Sequence, residues 1–285
     1  MSICSRSAST FPAQSLDDSP SGRLALHLGG LLAKSRGITT TVLQLGRGSP
    51  EPAVRRAIDT TDAAGPGPKE QEGRKAHVTL RTDVGGAESA VTREARKGYD
   101  LLMLGIMNTM AVDGGFHEDV ARVAAVYKGP LAVVAARGGH IESASEAALN
   151  ILVPVRGNTA SRRASEVALA LARASESSIT ALYVLSTVGL GAAQRRLKRP
   201  TLSRNYEEAV LKEIVGLAER FGRTIRTALR LDVAPEDAIL RQARLGSYNL
   251  IVMGVGRPGG DTLFFGKVAA AVLENSERSI LFLST

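Results

Sequence analysis

The residues best suited to chemistry lie in one glycine-rich stretch, GVGRPGGDTLFFGK, running from 254 to 267. Gly254, Gly256, Gly259, Gly260 and Gly266 let a backbone turn its N–H groups toward an anion, and a helix opening behind them adds a positive dipole end. Arg257 and Lys267 supply charge of the kind phosphate attracts. A second segment, Pro154-Val155-Arg156-Gly157, runs into a Gly-Asn turn. If Arg156 and Met253 close two parallel strands, their loops meet where open α/β sheets bind ligands, beyond the carboxyl ends. The candidate cofactor-binding set is then Pro154, Val155, Arg156, Gly157, Met253, Gly254, Gly256, Arg257, Gly259, Gly266 and Lys267. The plainer alternative is a glycine-rich βα turn needed only for tight packing, and both readings stand.

Other groups are weaker. His117 beside Glu118 and Asp119 has a base and carboxylates together, but no second His nearby, and a solvated helix start explains it as well. QRRLKRPTLSR, at 194–204, holds five basic residues and no acid. It reads as a solvated basic loop, or as a contact for acidic lipid heads or a phosphorylated partner. Asp17-Asp18-Ser19-Pro20 reads as a helix N-cap followed by a first-turn proline. There is no nucleophile elbow, Walker loop or metal-ligand spacing, so no catalytic residue and no metal site are assigned. Nothing in the residues argues for an enzyme.

The elements that position these residues are legible because the chain repeats itself. Residues 38–45 (ITTTVLQL) match 178–185 (SITALYVL), 99–105 (YDLLMLG) match 248–254 (YNLIVMG), and 129–136 (GPLAVVAA) match 278–284 (RSILFLS). Two related halves follow, and a length of 285 residues accommodates both. Hydrophobic residues make up 44% and charged residues 22%, which excludes wholesale disorder. No apolar run approaches the roughly 18 residues of a membrane span. A net charge of +8 favours anionic partners, yet aromatic residues are 4% with no Trp, so nucleic acid is not expected. A single Cys4 forms no internal disulfide.

The second half is the cleaner. NILVPV at 150–155 is a short β-branched run, right for a buried parallel strand. The pattern then predicts helix 161–175, strand 179–185, helix 205–221 with Val210, Ile214, Leu217 and Phe221 on one face, and Gly222 as its C-cap. Strand 225–231, helix 235–245, strand 249–253, helix 263–275 and strand 279–283 complete a βαβαβαβαβ order. That order predicts an α/β fold with a parallel sheet wrapped on both faces. In the first half, the opening strand should lie just before Asp17, where STFPAQSL is a poor strand former. Strand 77–82, helix 87–97, strand 100–104, a helix around 118–127 and strand 131–135 resume the pattern. The first copy is thus degraded. The expected domains are an irregular leader over 1–16, a first domain over 17–137 with a loop at 47–75, a linker over 138–149, and a second domain over 150–285.

These residues also carry a family resemblance. The doubled βαβαβαβαβ pattern, with its VMG strand and glycine loop, resembles the universal stress protein family in tandem form. The resemblance implies two Rossmann-like domains of the adenine nucleotide alpha hydrolase-like type. It also implies a loop of the form G-x2-G-x9-G-(S/T) and an acid ending the first strand. The second copy has Gly256, nine residues and Gly266, with Lys267 in the Ser/Thr place, a shorter Gly254-Val-Gly256 interval, and Arg156 in place of the acid. The first copy has the acid, Asp17, but Asn108 and Glu118 where glycines belong. Each copy therefore has about half a site.

The second copy, from EDAILRQARLGSYNLIVMG to its end, is also similar to the soluble region that ends some bacterial Na+/H+ antiporters. The resemblance implies a non-catalytic, cytoplasmic regulatory protein whose two halves pair internally and which binds ATP or another adenine nucleotide, in the second copy. The alternative is a cytosolic tail module that regulates a cation/proton antiporter at the inner face of the membrane, by protein contact without ATP.

Overall fold

A computed structural model describes residues 10–11, 19–36, 39–45, 78–83, 101–105, 116–127, 129–144, 148–186, 200–231, 233–256 and 266–284. In chain order its strands are β1 (Thr10–Phe11), β2 (Thr39–Leu45), β3 (Val78–Asp83), β4 (Leu102–Gly105), β5 (Leu131–Ala135), β6 (Asn150–Val155), β7 (Ser178–Leu185), β8 (Arg226–Leu231), β9 (Leu250–Val255) and β10 (Ser279–Ser284). The helices are α1 (Pro20–Arg36), α2 (Glu118–Val126), α3 (Gly139–Glu142), α4 (Thr159–Ala174), α5 (Pro200–Arg220), α6 (Pro235–Leu245) and α7 (Gly266–Asn275). The expected helix at 87–97 and the loop at 47–75 lie outside the described residues.

Seven strands form one sheet in the order β4-β5-β10-β9-β6-β7-β8. All its neighbours run parallel except β5 and β10, whose antiparallel ladder runs from Ile280↔Ala135 to Ser284↔Leu131. The last strands of the two halves thus lie side by side, second and third in the order. Alternation then decides what each face buries. On β10, Leu281 and Leu283 join a core beneath α1, α4 and α5. Ile280 and Phe282 join the opposite core beneath α2, α6 and α7. All six residues of β10 are buried, so the β-branched and aromatic run SILFLS is explained by a strand covered on both sides.

Two glycines stand at close backbone crossings. A Cβ at Gly254 would stand 2.3 Å from the Ala160 carbonyl carbon, and one at Gly105 would stand 2.1 Å from the Ser21 carbonyl oxygen. In each half, then, the end of a strand backs directly onto the first turn of a helix. Those helices are capped alike: Ser161 N–H donates to Asn158 Oδ1 at 2.9 Å, and Gly22 N–H donates to Ser19 Oγ at 3.1 Å. Ser19 caps α1 as expected, with Pro20 its first residue; Asp17 and Asp18 lie outside the described residues.

The structure adds detail to the expected elements and moves one boundary. The strand that opens the first half is Thr10–Phe11, a short piece of the STFPAQSL stretch where it was expected, and it pairs with β2. A separate three-stranded sheet β1-β2-β3 results. Helix α5 starts at Pro200 rather than 205, because proline is tolerated in a first turn. Part of the basic segment 194–204 is therefore helical. The linker contains α3, whose His140 is buried. Gly222 does end α5, at φ 66°, with Arg223 N–H donating to Ala218 O and Gly222 N–H to Glu219 O, the paired bonds of a Schellman close. Among the described residues, no helix is long and apolar enough to cross a membrane.

Candidate functional site

The winding of the second half fixes where a crevice can open. From β6 the chain crosses through α4 to β7 and through α5 to β8 on one face, then through α6 to β9 and α7 to β10 on the other. The hand-over from one face to the other falls between β6 and β9. Their ladder is short: it holds Ile151↔Leu250 and Leu152↔Ile251, whereas β6 and β7 stay paired from Asn150↔Ser178 to Val155↔Tyr183. Beyond Leu152 and Ile251 the two strands part. Pro154, which has no N–H to give a neighbour, stands in that unpaired stretch of a central strand, where it costs least.

The walls are built from the residues upward. Arg156 is exposed, but its backbone is held on both sides. Its N–H donates to Ser161 Oγ at 3.2 Å, and its carbonyl accepts from the Tyr206 hydroxyl at 3.3 Å. Gly157 follows at φ 73°, a conformation that favours glycine, and a Cβ there would meet Val210 Cγ2 at 2.6 Å and the Tyr206 hydroxyl at 2.7 Å. Helix α5 thus closes over the turn after β6. Asn158 then starts α4, so the bound N–H groups of that first turn sit beside Gly254. Removing the cap with Asn158→Ala is expected to cost about 1 kcal/mol, measured as a lower melting temperature with unchanged far-UV dichroism.

Of the expected set, the structure brings Pro154, Val155, Arg156 and Gly157 on β6 and its turn next to Met253 and Gly254 on β9. Gly256 is exposed just beyond β9. Arg257 and Gly259 lie outside the described residues. Gly266 and Lys267 open α7, with Gly266 at φ 72° and Lys267 exposed. Among the described glycines of this loop, Gly266 rather than Gly256 takes the left-handed conformation. His117, half-buried ahead of α2, belongs to no cluster of three metal-ligating side chains among the described residues.

Sequence reasoning missed the other wall. Tyr183 on β7 is raised above the ordinary phenol range, first by burial, then by the charge of Glu207 and by Tyr206, against an opposing pull from Arg156. Glu207 is 3% exposed, so a carboxylate is enclosed near enough to the Tyr183 phenol for its charge to act there. A signal for it existed. Tyr206 and Glu207 stand four and three residues before Val210, on the same apolar stripe, where a polar residue asks for a partner. What the arrangement offers is a parted strand pair, a capped helix start and two exposed cations, over a buried carboxylate and phenol.

Comparisons with known proteins agree with this fold. The model of the Universal stress protein family matches residues 148–283. A universal stress protein of Methanocaldococcus jannaschii is 29% identical over 135 residues, covering 46% of this chain and 79% of the relative. Two solved structures resemble the whole chain. One is a protein of unknown function from Pseudomonas aeruginosa PAO1, with TM-score 0.57 and 14% identity, covering 98% of this chain and 93% of its own. The other is a universal stress protein from Archaeoglobus fulgidus, with TM-score 0.55 and 15% identity, covering 97% and 98%. Those likenesses establish the α/β fold with its mostly parallel seven-stranded sheet. Residues 148–283 are thus what carries the match to the Universal stress protein family.

Proposed function

We propose that this chain is a tandem universal stress protein that works by binding an adenine nucleotide, ATP or a close relative, and regulates without catalysis. The observation that supports this reading is the early end of the β6–β9 ladder, which parts two strand ends beside the capped start of α4. Arg156 and Lys267 add exposed positive charge at the ends of that opening. The ladder between β5 and β10 supports an internal pseudo-dimer of the two halves. In the first half, Asn108 and Glu118 stand where the second has glycines, and a carboxylate beside a phosphate repels it. At about 5 Å and an effective dielectric of about 20, the repulsion is on the order of 3 kcal/mol before screening.

Isothermal titration with ATP and with AMP tests the reading. The expected stoichiometry is at most one nucleotide per chain. Gly256→Val is expected to abolish binding by crowding the loop, and replacing Asn108 to leave it unchanged. Heats no larger than a buffer control, from a folded sample, would leave the fold without this function. Full affinity in Gly256→Val together with loss on changing Asp17 would place the site in the first half.

A second reading is regulation by protein contact without nucleotide, with a cation/proton antiporter as the partner. Its support is the edge strand β8, which leaves Leu229 39% and Leu231 54% exposed with no strand beyond it among the described residues. An adjacent reading frame encoding about a dozen hydrophobic spans would favour it, and a solitary gene would count against it.

A further inference from the structure

Two imidazoles meet where the halves join, and neither belongs to the crevice. His140, in α3, is 1% exposed and its Nδ1 lies 2.8 Å from Ser279 Oγ on β10. Ser279 also takes the Arg137 N–H at 2.9 Å and donates its own proton to the Arg137 carbonyl at 3.1 Å. That hydroxyl has one proton to give. With it on Arg137, the His140 contact is an Nδ1–H donating to Ser279, and Nε2 is left as a lone pair. Among the described residues this Nε2 is buried without a partner, and so is Nδ1 of His27 on α1. His140 is near enough for its charge to act on His27. The joint is otherwise fastened by Arg23 of α1, whose guanidinium donates to the Ile141 carbonyl at 3.1 Å.

We propose that His27 and His140 form a proton-operated latch: neutral, they let α1 of the first half and the α3 turn that follows it in the linker close on β10 of the second half, and protonated, they release it.

Among the described residues, the charges around the pair offer no counterion that is itself buried. Helix α1 packs on β2, β4, β5, α3 and α4. Strands β2, β4, β5 and β10 carry no ionisable side chain. On α4, Arg162 pairs with Glu166 and with Glu213 of α5, Arg163 pairs with Glu166, all near the surface, and Arg173 is exposed. Around α3, Arg137, Glu142 and Glu277 are exposed and Arg278 is half-buried. A cation formed on either ring would therefore lose water without gaining a buried partner, and would repel a proton on the other. Burial first, and the His140 charge second, hold His27 down at about 4, and burial lowers His140 below its ordinary 6.5. Both groups are depressed in the closed state, so the open state binds the extra protons. Closure is then complete above pH 7 and weakens as pH falls from 6.5 toward 4, about tenfold per pH unit for each proton taken up.

Hydrogen exchange of the full chain, read by mass spectrometry as protection factors, tests this. Between pH 7.5 and pH 5.5, protection over 20–36 and 131–144 is expected to fall about tenfold or more, while β7 keeps its protection. His27→Gln, at a half-buried position that tolerates a neutral amide, should remove at least half of that pH response. His27→Gln combined with His140→Gln should remove all of it. If the double variant does not fold, the single variant decides alone. Equal protection at both pH values in the unaltered chain, or an undiminished response in His27→Gln, would overturn the latch.

Discussion

Gly254→Val is expected to lower the melting temperature by roughly 6–12 °C, corresponding to about 3 kcal/mol, because the new side chain has nowhere to go. The Cβ alone would lie 2.3 Å from both the carbonyl carbon and oxygen of Ala160 and 2.7 Å from the Ser161 nitrogen. All three are backbone atoms of the first turn of α4, fixed by the Asn158 cap, so no rotamer change relieves the contact. Either β9 or α4 must move, and both lie against the same core. Gly216, inside α5 with open space around its Cα, is the matched control. Gly216→Ala should raise stability by about 0.5–1 kcal/mol through helix propensity. Thermal unfolding of the three proteins side by side is the measurement. A Gly254→Val protein that melts with the unaltered chain would mean that β9 does not back onto α4.

Phe282→Ala is expected to cost about 3–5 kcal/mol and to weaken both halves at once. Phe282 is fully buried in β10, in register with Val133 on β5 and Met253 on β9, and its ring meets Phe116 edge-on at 6.0 Å and 88°. Truncation removes atoms shared by the first-half core, through Phe116 and Val133, and by the second-half core, through Met253. Urea unfolding followed by far-UV dichroism and by tyrosine emission, there being no Trp, should show one transition shifted as a whole. Two transitions, only one of them moved, would mean that the halves unfold independently.

How much of this was legible depended on how local each cause was. β6 and β5 were readable residue for residue, because an uninterrupted β-branched run between turn residues has few alternatives. The last turn of α5 was readable from Gly222, whose left-handed conformation few other residues would adopt. Its first turn was not, since Pro200 behind a basic run looks like a breaker and is in fact a starter. Helix α3 was hidden for another reason. GGHIE has two glycines and no apolar period, and what holds it lies elsewhere in the chain: His140 meets Ser279, 139 residues away. The candidate site was half readable. Glycines announce a close approach in sequence, as Gly254 and Gly157 do. That Tyr206 and Val210 would be what approaches Gly157 depends on how α5 lies over β6, which pairwise patterns along the chain do not encode.

The reversal of strand direction at the β5–β10 seam has a consequence for communication. The carboxyl end of β4 points to one rim of the seven-stranded sheet, and those of β6, β7 and β9 point to the opposite rim. A strand of six residues spans about 20 Å at roughly 3.3 Å per residue, against a screening length of about 8 Å in physiological salt. A charged molecule held at one rim would be electrostatically invisible at the other, and no single small molecule could bridge them. Any message between the halves must therefore travel mechanically, through the joint where β5 pairs with β10, α1 packs on α4 and His140 meets Ser279.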